Sequence, residues 1–363
     1  MVMKQLAERS FIKDKSMDEE LRAFIEKRKT RIKVVGCGGA GSNTITRLMQ
    51  IGIVGAQTIA INTDAQHLHY NTDADVKVLI GKQLTGGLGA GKNPKSGMES
   101  AKESKEEIKA ALKGADLVFI TAGEGGGTGT GSAPIVADIA KKEGALTVAI
   151  VTMPFTMEGK RIYENAVEGL QSLEGVTDTI IIIPNDKLLE LVPDVSLATA
   201  FKVADEILVN AVKGITELVT KPGLVNLDFA DVRAVMGNGG IALIGMGESD
   251  TENRAVESVE RALNNPLITV DVNGATGALI NVMGGPDITI KETHQIVETV
   301  CTKLSPEAKI IWGAQISKDL RSTVKTLLSV TGVKSPQIFG GGKTWSKERK
   351  KDIEKILGVE FIG

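Results

Sequence analysis

The chain is poor in aromatic residues and in cysteine. Phe, Trp and Tyr make up 3% of its 363 residues, too few for the stacking platforms on which single-stranded nucleic acids lie. Two cysteines, Cys37 and Cys301, cannot build the disulfide framework of a secreted domain and suit a reducing compartment. Neither sign of charge dominates. A net charge of −2 and a pI near 6.1 give no basic field for a nucleic-acid backbone. No apolar run approaches the roughly 20 residues of a membrane helix. The opening residues, MVMKQLAERSFIKDKSMDEE, hold no apolar segment of a secretion signal. The expectation is a cytoplasmic globular protein. Hydrophobic residues at 42% support a packed core, and the length allows two domains.

Glycine is what the chain does have. Gly123 to Gly131 reads G-E-G-G-G-T-G-T-G. An apolar run, Leu117 to Ile120, precedes it and reads as a buried strand; Ala133 to Ala140 follows with helical periodicity. A strand, a Gly/Thr loop and a helix form a phosphate cradle. Glycines allow positive φ and close approach, and backbone N–H groups at a helix N-terminus attract anions. The hydroxyls of Thr128 and Thr130 can donate to phosphate oxygens.

A second such unit stands earlier. Arg31 to Val35 reads as a strand, followed by G-C-G-G-A-G-S-N (36–43) and a helix through Ile45, Leu48 and Met49. Gly36, Gly38 and Gly41 match the dinucleotide fingerprint G-x-G-x-x-G. That fingerprint expects an acidic residue about 20 positions on, and Asn62-Thr63-Asp64 follows a plausible second strand, Thr58 to Ile61. An NAD-dependent oxidoreductase is open at this point. Thr85 to Pro94, T-G-G-L-G-A-G-K-N-P, comes near a P-loop, but Asn93 stands where Ser or Thr would bind Mg²⁺. It reads as a loop beside the nucleotide, followed by a helix over Lys95 to Leu112.

Further apolar strands lie at 76–80, 146–151 and 180–183, the last running into P-N-D at 184–186. Uniformly apolar strands alternating with helices indicate a parallel sheet covered on both faces. Leu197 to Val219 reads as one helix, roughly 35 Å long. Beyond it the segments 241–246, 278–283, 310–315 and 326–330 read as strands of a second, smaller α/β domain. The expected division is a charged helical extension (1–30), a nucleotide-binding domain (31–195), a central helix (196–221), a second domain (222–335) and a short tail (336–363). The tail ends in an apolar peptide, Ile353 to Ile362, suited to docking.

Four segments together resemble the FtsZ cell-division GTPases, prokaryotic relatives of tubulin. They are G-C-G-G-A-G-S-N (36–43), G-G-G-T-G-T-G (125–131), P-F-x-x-E-G-K (154–160) and N-L-D-F-A-D (226–231). The resemblance implies a tubulin-like α/β fold. A Rossmann-like parallel-sheet GTPase domain is joined by a long central helix to a smaller α/β domain with a mainly four-stranded sheet. It implies GTP and GDP rather than NAD, with Mg²⁺ held through phosphates and water rather than by direct protein ligands. Gly39, Ala40, Gly41, Ser42 and Asn43 would wrap the α- and β-phosphates, with Gly38 before them. Gly127, Thr128 and Gly129 would hold the β- and γ-phosphates, beside Gly125, Gly126 and Thr130. Asn62, Asp64, Ala65 and Ala90 would lie near the γ-phosphate and Mg²⁺. Glu158 and Arg161 would contact ribose or phosphate, and Asn185 completes the set. Phe201 would stack on guanine, and Asp205 would accept its N1–H and N2–H. One departure stands out: where the family carries an arginine four places after the glutamate, this chain has Ile162.

The resemblance also implies the chemistry. Asp228 and Asp231, with Asn226, are the groups to orient the attacking water. They follow the long helix, far from the phosphate loops. The pocket is then completed by the next subunit, a head-to-tail contact that builds an open filament. The implied partners are further copies of the chain and division or membrane-anchoring adaptors reached through the tail, with no nucleic acid and no membrane insertion. The implied place is the mid-cell division site, and the charged N-terminus and short tail point to an archaeal member. The alternatives are the NAD-dependent oxidoreductase, a filament that does not hydrolyse, and a tubulin-like filament that positions other proteins.

Overall fold

The structure, a computed structural model, describes residues 30–187, 197–221, 223–225, 227–265, 272 and 275–333. The C-terminal docking peptide and all of the expected N-terminal extension but Thr30 lie outside the described residues, as does Asn226.

Strands β1 (Ile32–Cys37), β2 (Ala56–Asn62), β3 (Val76–Leu79), β4 (Leu117–Gly123), β5 (Leu146–Met153) and β6 (Thr179–Pro184) are parallel, in the order 3-2-1-4-5-6. This is the doubly wound order, whose direction of winding reverses between β1 and β4. The remaining strands are β7 (Gly240–Ser249), β8 (Gly277–Gly284), β9 (Lys309–Ile316) and β10 (Val324–Thr331), in the order 7-10-8-9. Strand β10 is antiparallel to both its neighbours, and β8 is parallel to β9. The two groups are continuous: Thr179, Ile180 and Ile181 of β6 pair with Gly240, Ile241 and Ala242 of β7.

Both faces of the first group are apolar because helices cover both. Along β1, Val35 and Cys37 enter one core, and Ile32 and Val34 enter the other. The helices around this sheet are α1 (Gly38–Ile51), α2 (Ala65–Tyr70), α3 (Lys82–Thr85), α4 (Pro94–Glu103), α5 (Lys105–Leu112), α6 (Thr128–Lys142) and α7 (Lys160–Glu174). The single helix expected over Lys95 to Leu112 breaks at Ser104, whose hydroxyl accepts the Gly81 N–H at 3.2 Å.

The long helix is α8 (Leu197–Thr220), 24 residues and about 36 Å. Ala204, Leu208, Ala211, Ile215 and Leu218 recur at alternating intervals of four and three, and all are buried. They share a core with Ile32 and Val34 of β1 and with Ile244, Leu279 and Leu327 of the second strand group. Gly214 lets β10 come close: a methyl there would lie 2.3 Å from Leu327 Cδ2. Asn281 Nδ2 donates to the Gly214 carbonyl at 3.2 Å. The helix is thus fastened to both groups of strands. After it come α9 (Phe229–Met236), α10 (Arg254–Leu263) and α11 (Ile290–Cys301).

Candidate nucleotide site

The carboxyl ends of β1 and β4 open side by side at the reversal point. Much of each glycine-rich stretch is helix rather than loop: α1 begins at Gly38 and α6 at Thr128. Two helix N-termini therefore converge, and a methyl on Gly38, at φ +72°, would lie 2.6 Å from the Gly129 nitrogen. Gly39 and Gly126, by contrast, face open space. Side-chain-free backbone there bounds a cavity of about 320 Å³.

Of the expected residues, Gly39, Ala40, Gly125, Gly126, Gly127, Thr128 and Gly129 line this cavity. Glu158, Asn185, Phe201 and Asp205 line it as well. Gly38, Gly41 and Ser42 are buried in the first turn of α1, and Asn43 is exposed beyond them. Thr130 is buried, and its hydroxyl accepts the Gly125 N–H at 2.8 Å, bracing the turn from within.

Asn62, Asp64 and Ala65 form a neighbouring rim. Asn62 Oδ1 accepts the N–H of Thr63 at 2.9 Å and of Asp64 at 3.3 Å. Asp64 caps α2 by accepting the His67 N–H at 2.9 Å, and Ala65 N–H donates to the Gly87 carbonyl at 3.0 Å. The Thr63 and Thr128 hydroxyls, 2.6 Å apart, tie this rim to the glycine loop. Ala90 presses on Gly127, where a methyl would lie 2.9 Å from the Ala90 Cβ.

The other end of the cavity is apolar and acidic. Phe201 stands edge-to-face with buried Phe155, ring centroids 5.2 Å apart, and remains 42% exposed. One turn on, Asp205 lies beneath it. Burial pushes its carboxyl up to about 6, against the Thr44 hydroxyl at 3.4 Å and the Arg47 charge. Asn185, which lines the cavity, is buried with its Oδ1 unpartnered, a polar atom that a ligand could satisfy. Glu158 Oε1 accepts the Phe155 N–H at 2.9 Å, fixing the turn that carries the aromatic pair.

Arg161 is exposed and does not line the cavity; Ile162 does, packed against Gly125. Cys37, Lys92, Glu124, Thr152, Pro154, Ala204 and Leu208 line the cavity too, and sequence reasoning did not single them out for it. Glu124 had a visible signal, as the one charged residue inside the glycine run. It is buried, and burial pushes its carboxyl up to about 8, a side-chain hydrogen bond with Thr130 opposing. Burial also pushes the Cys37 thiol up to about 12, so it is inert at neutral pH.

Asp228 and Asp231 do not line the cavity. From Asp205 to Thr220 the helix alone spans about 22 Å, and the carboxylates follow it. They sit at the start of α9, on a loop tied to β9: Leu224 N–H donates to the Ala314 carbonyl at 2.8 Å.

A doubly wound sheet with a glycine-lined cavity at its reversal point, an aromatic face and a half-buried carboxyl in its wall defines a nucleotide-binding protein. The family model described as the Tubulin/FtsZ family, GTPase domain, matches residues 31–193, and that described as the FtsZ family, C-terminal domain, matches 240–334. Cell division protein FtsZ 1 of Methanocaldococcus jannaschii is 63% identical over 339 residues, 93% of this chain and 92% of the relative. That of Thermococcus kodakarensis is 61% identical, over 88% and 85%. A solved structure described as an empty FtsZ dimer of M. jannaschii superposes with a TM-score of 0.85 over 90% of this chain and 95% of that one, at 61% identity. The CetZ1 structure of Haloferax volcanii, 21% identical over 90% of this chain and 98% of that one, with a TM-score of 0.75, shares the fold. The chain belongs to the FtsZ family of tubulin-superfamily GTPases, and its nucleotide is a guanine nucleotide.

Proposed function

We propose that the chain binds GTP with its phosphates on the N-termini of α1 and α6 and its base between Phe201 and Asp205. A carboxylate at Asp205 would accept the N1–H and N2–H of guanine. Adenine offers no such pair and would leave a buried acceptor unsatisfied. Mg²⁺ would be held by phosphate oxygens and water, supplying charge neutralisation. Asn62 Oδ1 and one oxygen of Asp64, Oδ1, are engaged by backbone N–H groups.

Hydrolysis needs an in-line water and stabilised charge. Asp228 and Asp231, with Asn226, would orient that water on the nucleotide of the next copy. The observation that carries this reading is the separation of the two sites along α8. Neither end is complete alone, so copies associate head to tail into a filament. Loss of the γ-phosphate weakens the contact. The M. jannaschii relative solved as a dimer supports self-association, and the relatives' names support a role in cell division. Among the described residues no helix is long and apolar enough to cross a membrane. Adaptors reached through the tail would place the filament at mid-cell.

Phosphate release by Asp231→Ala is the test. GTP binding stays intact and turnover is abolished; full hydrolysis in that variant refutes the trans-acting site.

A further inference from the structure

We propose that Lys92 is the phosphate-binding cation of this site and favours GTP over GDP. The inference rests on the nucleotide reading above and extends it to a residue outside it. Three observations converge on this position.

The first is charge. The cavity is lined by the carboxyls of Glu124, Glu158 and Asp205, and Lys92 is the one Lys or Arg among its described lining residues. A triphosphate carries several negative charges into that cavity. Where an arginine would stand by family resemblance, the wall is Ile162, and Arg161 is exposed and not part of the lining.

The second is placement. The turn from Ala90 to Asn93 lies directly on the glycine loop: a methyl on Gly127 would be 2.8 Å from the Asn93 nitrogen. The Asn165 side-chain amide reaches both the Lys92 carbonyl, at 3.5 Å, and the Gly125 carbonyl, at 3.3 Å. Asn93 starts α4 by accepting the Lys95 N–H at 3.1 Å. Lys92 is thus carried on a backbone fixed to the glycine loop that would hold the phosphates. The terminal phosphate is the group farthest from the base.

The third is backbone conformation. Lys92 has φ +57°, in the left-handed region where glycine is at ease and a lysine is strained. Glycine would fold here more easily. A strained lysine at the mouth of a cavity indicates a use for its ammonium. Exposed, that group is free to reach over the loop.

The test measures GTPγS and GDP affinities with Mg²⁺, at protein concentrations too low for association, for the parent, Lys92→Gly and Lys92→Arg. Lys92→Gly should weaken GTPγS about ten-fold, the size of one charge-assisted hydrogen bond, and GDP far less. Its nucleotide-free melting temperature should equal or exceed the parent's, because the glycine relieves the strain. Lys92→Arg should keep the parent's preference, and added salt should erode it in both. An unchanged GTPγS-to-GDP ratio in Lys92→Gly overturns the proposal, as does an equal loss for both nucleotides. A parent that binds neither nucleotide removes the site reading itself, which separates the two failures.

Discussion

Asp228 and Asp231 hold each other in place. Asp228 Oδ1 accepts the Asp231 N–H at 2.8 Å, and Asp231 Oδ2 accepts the Asp228 N–H at 3.2 Å. This reciprocal capping box starts α9. It leaves one oxygen of each carboxylate without a partner in this exchange. A cap and a water-orienting pair are therefore compatible, and the cap fixes the geometry the chemistry needs.

The two roles separate by substitution. Asparagine accepts the same backbone hydrogen bond but carries no charge. Asp231→Asn should keep stability within about 0.5 kcal/mol, while Asp231→Ala, which removes the N3 acceptor of the Asp228 N–H, loses about 1 kcal/mol for that hydrogen bond. Both should lose phosphate release. Thermal melting beside a phosphate assay checks this; Asp231→Asn at parental turnover contradicts the role of the charge.

Nucleotide affinity should depend on pH through Asp205. Its carboxyl is raised to about 6, so it is an ionised acceptor at pH 7 and becomes protonated below about 6. GTPγS binding should weaken as pH falls through that range, and Asp205→Asn should flatten the profile. Calorimetric titration across that range checks it.

Glu124 makes stability depend on pH in the alkaline direction. Its folded value, about 8, lies above its ordinary 4.5. The protonated form is favoured in the fold, so stability is lost as pH rises from about 4.5 to about 8. Glu124→Gln, neutral throughout, should melt progressively above the parent as pH rises over that window. Parallel melting curves contradict the buried neutral acid.

The second strand group should fail first in acid. Arg254, 8% exposed, donates to Glu292 at 2.6 Å and 3.3 Å and to Asp287 at 2.6 Å. The Arg254 hydrogen bond is the main cause holding Glu292 down at about 2, helped by Thr289. Its stabilisation is complete above about 4.5 and is lost as pH falls towards 2. Glu292→Gln should cost about 2 kcal/mol at neutral pH, a difference that disappears in acid. Urea unfolding at both pH values measures it.

Much of this was legible in the sequence because the signals were local. The apolar strands, the period of α8 and the glycine runs each fixed an element from its own residues. What was hidden depended on distant partners. The break at Ser104 needs the Gly81 N–H, and the joining of the two strand groups needs three residue pairs between β6 and β7. Thr130 read as a phosphate donor because its spacing is right; its partner is Gly125, inside the loop. Phe201 and Asp205 were legible only as a pair one turn apart, and Phe155 was visible in the P-F-x-x-E-G-K segment but not as the support of the aromatic face. Lys92 was noticed as part of a near P-loop, but its conformation and its place on the cavity wall belong to the tertiary structure.

Completion of the site by a second copy is tested most directly by the GTP hydrolysis rate as a function of protein concentration. A shared site gives negligible turnover in dilute protein and a cooperative onset above a threshold. A rate strictly proportional to concentration, down to samples shown by sedimentation to be monomeric, contradicts it.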